Sequence, residues 1–157
     1  MEKLATCLWF DGKAEEAAKF YTSVFDDSFI GTVTYYGEGS MGASGTVMTV
    51  IFNLAGQEFM ALNGGPQYKL TPAISLMVYC RDQVEVDHYW ERLSEGGEKS
   101  VCGWLTDRFG VSWQVIPTIL GKLLGDADSR KVQNVTRAML QMTKLDIAVL
   151  QAAYDQA

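Results

Sequence analysis

This sequence is short of the residues that most often carry chemistry or crosslinks. Its 157 residues hold one histidine, His88, and three cysteines, Cys7, Cys80 and Cys102, an odd number with no close pair. That usage argues against a disulfide framework and for free thiols in a reducing cytoplasm. Basic residues are also scarce: 13 against 19 acidic ones, a net charge of -6. Such a balance repels phosphate backbones and anionic lipids, so neither nucleic acid nor a membrane is an expected partner. No apolar run approaches the roughly 20 residues that cross a bilayer, and the opening MEKLATCLWFDGK meets Asp11 too early for a secretory signal core. With only 3 prolines and 48% hydrophobic residues, the composition instead suits one well-cored unit.

The stretch from Leu4 to Phe25 organises the rest. Leu4 to Phe10 is dense in apolar and β-favouring residues, Asp11-Gly12 breaks it, and from Lys13 the apolar spacing turns helical. Ala14, Ala17, Ala18, Tyr21 and Phe25 form one stripe for packing on a sheet, with Glu15, Glu16 and Lys19 outward. Asp11 is the expected cap, and the two glutamates suit the positive end of the helix dipole. Strands follow over 29–36, 46–54 and 58–63, completing a βαβββ module by Asn63. The glycine-rich segment 37–45 is expected to be a hairpin loop and not a phosphate cradle, because a strand-like TVMTVIFNL follows it where a cradle needs a helix.

After a linker over 64–72, the strand-helix unit recurs. Ala73 to Cys80 is a nearly continuous apolar strand, and Asp82 with Glu85 reads as a capping box. Val86, Tyr89, Trp90 and Leu93 set the buried stripe of the helix that follows. Strands over 99–105 and 112–117, joined by the turn 106–110, close a shortened second module, a further short edge strand near Lys99 being left open. Beyond Pro117 three helices are expected, over 118–124, 129–142 and 146–154, capped by Thr118, Ser129 and Asp146. Val132, Val135, Met139 and Met142, then Ile147, Leu150 and Tyr154, are apolar at helical spacing and must pack on the sheet or on a second subunit.

The predicted fold is therefore α+β: paired βαβββ modules forming a half-open barrel, with a C-terminal helical extension. One domain is expected over 1–157, made of a first module (1–66), a second (67–118) and the extension (119–157). This layout resembles the glyoxalase, bleomycin-resistance and extradiol-dioxygenase fold, the vicinal oxygen chelate superfamily. The opening LWFDGKAEEAAKFYTSVF, the centre FMALNGGPQYKLTPAISLMV and the close CGWLTDRFGVSWQVIP are similar to its PhnB-like branch. Proteins of that branch often carry the label 3-demethylubiquinone-9 3-methyltransferase. No G-x-G loop between strand and helix is present here to hold a nucleoside methyl donor.

In metal-dependent members the resemblance implies four inward ligands, mostly His and Glu. Motif matching sets Ala5, Ala61 or its neighbour Met60, Ala73 and Gln114 at those positions, so no metal and no cofactor are expected. His88 is expected on the solvent face of its helix. Strand parity points Ala5, Cys7 and Trp9, Ala61 and Asn63, Ala73, Ser75, Met77 and Tyr79, and Ser112, Gln114 and Ile116 into the cup, leaving Ile74, Leu76 and Val78 against the helix. Trp9, Asn63, Ser75, Tyr79 and Gln114 from this set, with Trp104 in the Cys102-Gly103-Trp104 turn where the second module's hairpin closes over the mouth, are the candidate ligand-binding residues. Asn63 and Gln114 are expected at corresponding strand ends. Neither Cys7 nor Cys102 has a base to activate it, and no spacing singles out Tyr79 and Ser75 as an acid and base. Three readings follow: a metal-free binder of a small, largely apolar molecule, an enzyme with a non-metal site in the same cup, or an interaction protein with a vestigial cup. The resemblance, the open sheet edges and the apolar helical faces also imply a homodimer.

Overall fold

Apolar alternation and helical spacing produce most elements where the sequence places them, with differences at their ends; the strand expected over 99–105 is instead two short strands, Glu98–Lys99 and Trp104–Thr106, parted by a turn at 100–103. The structure is a computed structural model that describes residues 2–156, and it divides into two compact units, one reaching Leu70 and one starting at Thr71. In the first unit, β1 (Thr6–Phe10) leads to α1 (Ala14–Val24), followed by β2 (Ser28–Tyr35), β3 (Val47–Leu54) and β4 (Gln57–Asn63). The sheet order is β1-β4-β3-β2; β1 runs parallel to β4, and the other neighbours are antiparallel.

Leu8, Phe10, Val50, Phe52, Leu54, Phe59 and Ala61 are buried on the face that α1 covers with Ala14, Ala17, Ala18, Tyr21 and Val24. The three alanines let the helix approach the sheet closely, and fully buried Tyr21 stacks on Phe52, which stacks on Phe59. Val24 ends the stripe; Phe25, expected to do so, lies beyond the last turn as its cap. Asp11 does not cap α1. The Ala14 N–H donates instead to Asn63 Oδ1, brought by β4 from 49 residues away.

The second unit repeats the plan with β5 (Leu76–Cys80), α2 (Gln83–Ser94), β6 (Glu98–Lys99), β7 (Trp104–Thr106) and β8 (Ser112–Pro117), in sheet order β5-β8-β7-β6. Val86, Trp90 and Leu93 of α2 cover Val78, Cys80, Leu105, Trp113 and Val115. Asp82 accepts from the Glu85 N–H as expected, whereas the Glu85 carboxylate accepts from the Arg81 N–H. The strand expected from Ala73 begins only at Leu76, because Thr71 holds the Ala73 and Ile74 N–H groups in a turn. Ile74 is consequently 67% exposed and does not pack under the helix. No sheet of the described residues closes into a barrel, and none of their helices is long and apolar enough to cross a membrane.

The extension forms α3 (Ile119–Leu124), α4 (Ser129–Met139) and α5 (Ile147–Asp155). Asp128, one residue before the expected Ser129, accepts from the Arg130 N–H at the start of α4, and Thr118 makes no side-chain cap. Leu120, Leu123, Val135, Leu145 and Leu150 bury one another together with Ile116, and Met139, Met142 and Tyr154 pack against that cluster. The methionine stripe is thus used inside the unit. Two aspartates fasten this layer: Asp126 accepts from the Tyr154 hydroxyl at 2.7 Å, and Asp87 pairs with Lys144 at 2.9 Å.

Hydrogen bonds hold both carboxyls below their ordinary range, from the Asp128 N–H and Tyr154 at Asp126, and from Gln83 and Lys144 at Asp87. A lowered folded value means the contribution is present above the unfolded carboxyl value and lost as pH falls through the folded one. Acidification below about pH 4 is expected to release exchange protection in α5 before β3 and β4 lose theirs, as amide exchange at stepped pH would show.

Candidate functional site

Strand register decides which side chains leave the helix-covered faces. In β1 and β4, Cys7 faces Met60 and Phe10 faces Asn63; in β5 and β8, Met77 faces Gln114 and Cys80 faces Pro117. Counting back from the strand ends makes Gln114 the counterpart of Met60, and Asn63 the counterpart of Pro117. The expectation that Asn63 and Gln114 correspond is therefore corrected.

Asn63 shares the face of buried Phe10, and Ala61 the face of buried Leu8, so both turn toward α1 and away from the open face. Asn63 is fully engaged there: its Oδ1 accepts from Ala14 at 2.9 Å, its Nδ2 donates to Val47 O at 3.0 Å, and its own carbonyl accepts from the Tyr36 hydroxyl. It borders a cleft of about 700 Å³ beside the start of α1, together with Glu15, Lys19 and Tyr36. Trp9 does lie on the open face of the first unit. Its Nε1–H donates to Gly65 O at 2.8 Å, Tyr68 meets its ring edge-on, and the ring covers Gly64 so closely that a Cβ there would come within 2.4 Å.

On the open face of the second unit, β7 and β8 set Trp104 beside Gln114 and Thr106 beside Ser112. Gln114 Nε2 donates to Ser75 Oγ at 2.9 Å, so three of the expected site residues, Ser75, Trp104 and Gln114, meet on this face. Tyr79 does not join them closely; it is 63% exposed, with its hydroxyl directed at the Met77 sulfur. A cavity of about 250 Å³ opens here, lined by Pro72, Ser100, Val101, Trp104, Leu105, Thr106 and Ser112. Its lining carries no charged side chain. Ser112 is 3% exposed, and its hydroxyl oxygen is buried without a hydrogen-bond partner. An unpaired buried hydroxyl costs about 1–3 kcal/mol, so the position is unfavourable unless something supplies the missing bond.

Asp107 explains how Ser112 is held. This buried carboxylate accepts from the Phe109 and Val111 N–H groups through Oδ1, and from Trp113 Nε1–H through Oδ2 at 2.8 Å. It grips both neighbours of Ser112. In the sequence, Thr106 to Gly110 reads only as a turn; an Asp that can bond its own backbone two residues on was the available signal.

The divalent ion that the resemblance implies for metal-dependent members is not matched by these donors. By register the open-face positions hold Cys7 and Met60 in the first unit and Met77 and Gln114 in the second, while Ala5 and Ala73 have no donor atom and Ala61 faces α1. Gln114 offers a neutral amide oxygen, a weak ligand for a hard or borderline cation. Among the described residues no three His, Cys, Asp or Glu side chains stand together as a metal site. Two of the free thiols are not poised nucleophiles either: desolvation raises Cys7, and desolvation with the nearby Glu85 and Asp82 charges pushes Cys80 up to about 12. His88 is exposed and meets the edge of Tyr89.

The family described as 3-demethylubiquinone-9 3-methyltransferase matches residues 2–116. The chain belongs to that family. A PhnB protein from Bacillus cereus is 40% identical, with a TM-score of 0.69 over 74% of this chain and 100% of that one. Protein PA1353 from Pseudomonas aeruginosa is 21% identical, with a TM-score of 0.63 over 74% of this chain and 98% of that one. The fosfomycin resistance protein FosX from Listeria monocytogenes, in complex with Mn(II) and sulfate, is 16% identical, with a TM-score of 0.53 over 73% and 92% of the two chains. The last two likenesses establish the fold alone. No curated protein matches this PhnB-like chain.

Proposed function

We propose that this PhnB-like protein is a metal-free binder of a small, neutral, largely apolar molecule, seated in the cavity on the open face of the second sheet. The observation that carries the reading is the buried, unpartnered Ser112 hydroxyl in an otherwise uncharged lining. A ligand carbonyl or hydroxyl would complete that hydroxyl's hydrogen bonding, and the Trp104 and Val101 side chains suit an apolar body. At about 250 Å³ the cavity lies just under the roughly 300–1,000 Å³ typical of ligand pockets, which favours a compact ligand. The family's methyltransferase description gains no support from a chain without a Gly-rich strand-to-helix loop for a nucleoside donor. A net charge of -6 and three free thiols favour a cytoplasmic protein that avoids nucleic acid.

Cyclohexanone, a neutral ketone, is a suitable probe. Saturable shifts of the Trp104 indole and Ser112 amide resonances are expected on titration. Ser112→Ala should weaken binding at least about five-fold, the loss of one net hydrogen bond, and leave stability unchanged or slightly raised. Absence of saturable binding, or binding indifferent to Ser112→Ala, would reject the reading. Native mass spectrometry of protein purified from its own host would then be the direct search for a retained molecule.

The same reading includes a homodimer. Met77 and Tyr79 are 47% and 63% exposed on the open face, and β2 and β6 are sheet edges. Light scattering should return about twice the 17.4 kDa chain mass; a monodisperse monomer would count against it.

A further inference from the structure

The helical extension lies beyond the matched residues 2–116, and the Bacillus cereus relative is spanned in full by 74% of this chain. Nothing in those likenesses gives the extension a role. Its contacts do. Ser100, Val101 and Trp104, which line the cavity, flank two consecutive residues with left-handed backbone, Cys102 at φ 57° and Gly103 at φ 82°. For cysteine that conformation is unfavourable and needs support from its surroundings. The support comes from the segment between α4 and α5: the Cys102 N–H donates to Met142 O at 2.9 Å, and the Gly103 N–H to Thr143 O at 2.8 Å. Gly103 in turn accepts from the Val115 N–H at 2.8 Å, tying the lip to β8.

The segment itself is clamped onto α2. Gln83 donates through Nε2 to Leu145 O at 3.1 Å and accepts through Oε1 from the Ile147 N–H at 2.9 Å, as a strand neighbour would. Lys144 pairs with Asp87 one turn along. Buried Leu145 sits against Gly103, whose missing side chain is required: a Cβ there would stand 2.7 Å from Val115 O and 3.1 Å from Leu145.

We propose that the C-terminal extension shapes the lip of the second-unit cavity, with Gln83 as the positioning residue that docks it, so that the site's affinity depends on the extension. This rests on the reading of that cavity as a ligand site. Gln83 is not among the cavity's lining residues and acts only through residues 142–147 and the 102–103 backbone.

The test uses full-length protein and two readouts: amide exchange by NMR without ligand, and cyclohexanone titration. In Gln83→Ala and in the double variant with Lys144→Ala, the Cys102 and Gly103 amides should exchange at least about five-fold faster, as for a hydrogen bond lost. Phe52 and Ala61 amides should keep their protection, and the affinity for cyclohexanone should fall several-fold. Leu145→Ala serves as a third variant, should the first two leave α5 exchange at the wild-type rate. Faster exchange in α5 with unchanged Cys102 and Gly103 amides overturns the proposal. So does unchanged Cys102 and Gly103 exchange in all three variants, or faster lip exchange with unaltered affinity. Failure of wild-type protein to bind cyclohexanone rejects the ligand reading instead, and the exchange data still decide whether the extension holds the lip.

Discussion

Replacing Asp107 with alanine is expected to lower the free energy of unfolding by about 3–5 kcal/mol, enough to unfold a marginal domain. The carboxylate is 3% exposed and serves three donors, the Phe109 and Val111 N–H groups and Trp113 Nε1–H. Removing it strands all three, at about 1–3 kcal/mol each less whatever the turn recovers by opening to water. An amide should behave differently: Asp107→Asn keeps one oxygen for the two backbone donors but aims an N–H at the Trp113 N–H, so a loss of about 1–2 kcal/mol is expected. Urea denaturation followed by tryptophan fluorescence measures both. Equal losses for the two substitutions would mean that charge, and not this geometry, is what the site requires. Because Asp107 grips Val111 and Trp113, its replacement should also move Ser112 and weaken any ligand held in the cavity.

The repeated strand-helix unit was legible because its signals are local. Ala14, Ala17, Ala18 and Tyr21, and later Val86, Trp90 and Leu93, repeat at helical spacing and bury where that spacing puts them. Alternation likewise separated Val78 from Met77. What failed depends on residues distant in the chain. The parity of β4 was counted one residue out: Asn63 caps α1, a role for which Asp11 stood much nearer in sequence. Phase along a strand is fixed by the partner strand and the covering helix, and a run such as FMALN, apolar at both parities, does not reveal it. Ile74 failed for another reason, since a Thr71 turn displaced the start of β5. The candidate site was legible only as a face. Ser75, Trp104 and Gln114 share it, while the cavity's buried, unpartnered hydroxyl, on Ser112, and the carboxylate that positions it lie in a segment whose sequence announces only a turn and a strand.

Asn63 and Gln114, which share one role in the sequence, should therefore separate on mutation. Asn63→Leu is expected to cost about 2–4 kcal/mol: it removes the acceptor at the first turn of α1, worth about 0.5–2, and strands the Val47 carbonyl, worth about 1–3. Leucine has no shape for the position, since the side chain points between the helix start and the β2–β3 hairpin and not at the open face. Gln114→Leu should change stability by less than about 1 kcal/mol, because the half-buried amide makes one side-chain bond, to Ser75, and either group can turn to water. Its effect should fall on ligand affinity, next to Trp104 and one residue pair from Ser112. Chemical denaturation of both variants, with cyclohexanone titration of the second, distinguishes the roles. A Gln114 variant as unstable as the Asn63 variant would make that amide part of the framework; an Asn63 variant of wild-type stability would mean that α1 and the hairpin are held without it.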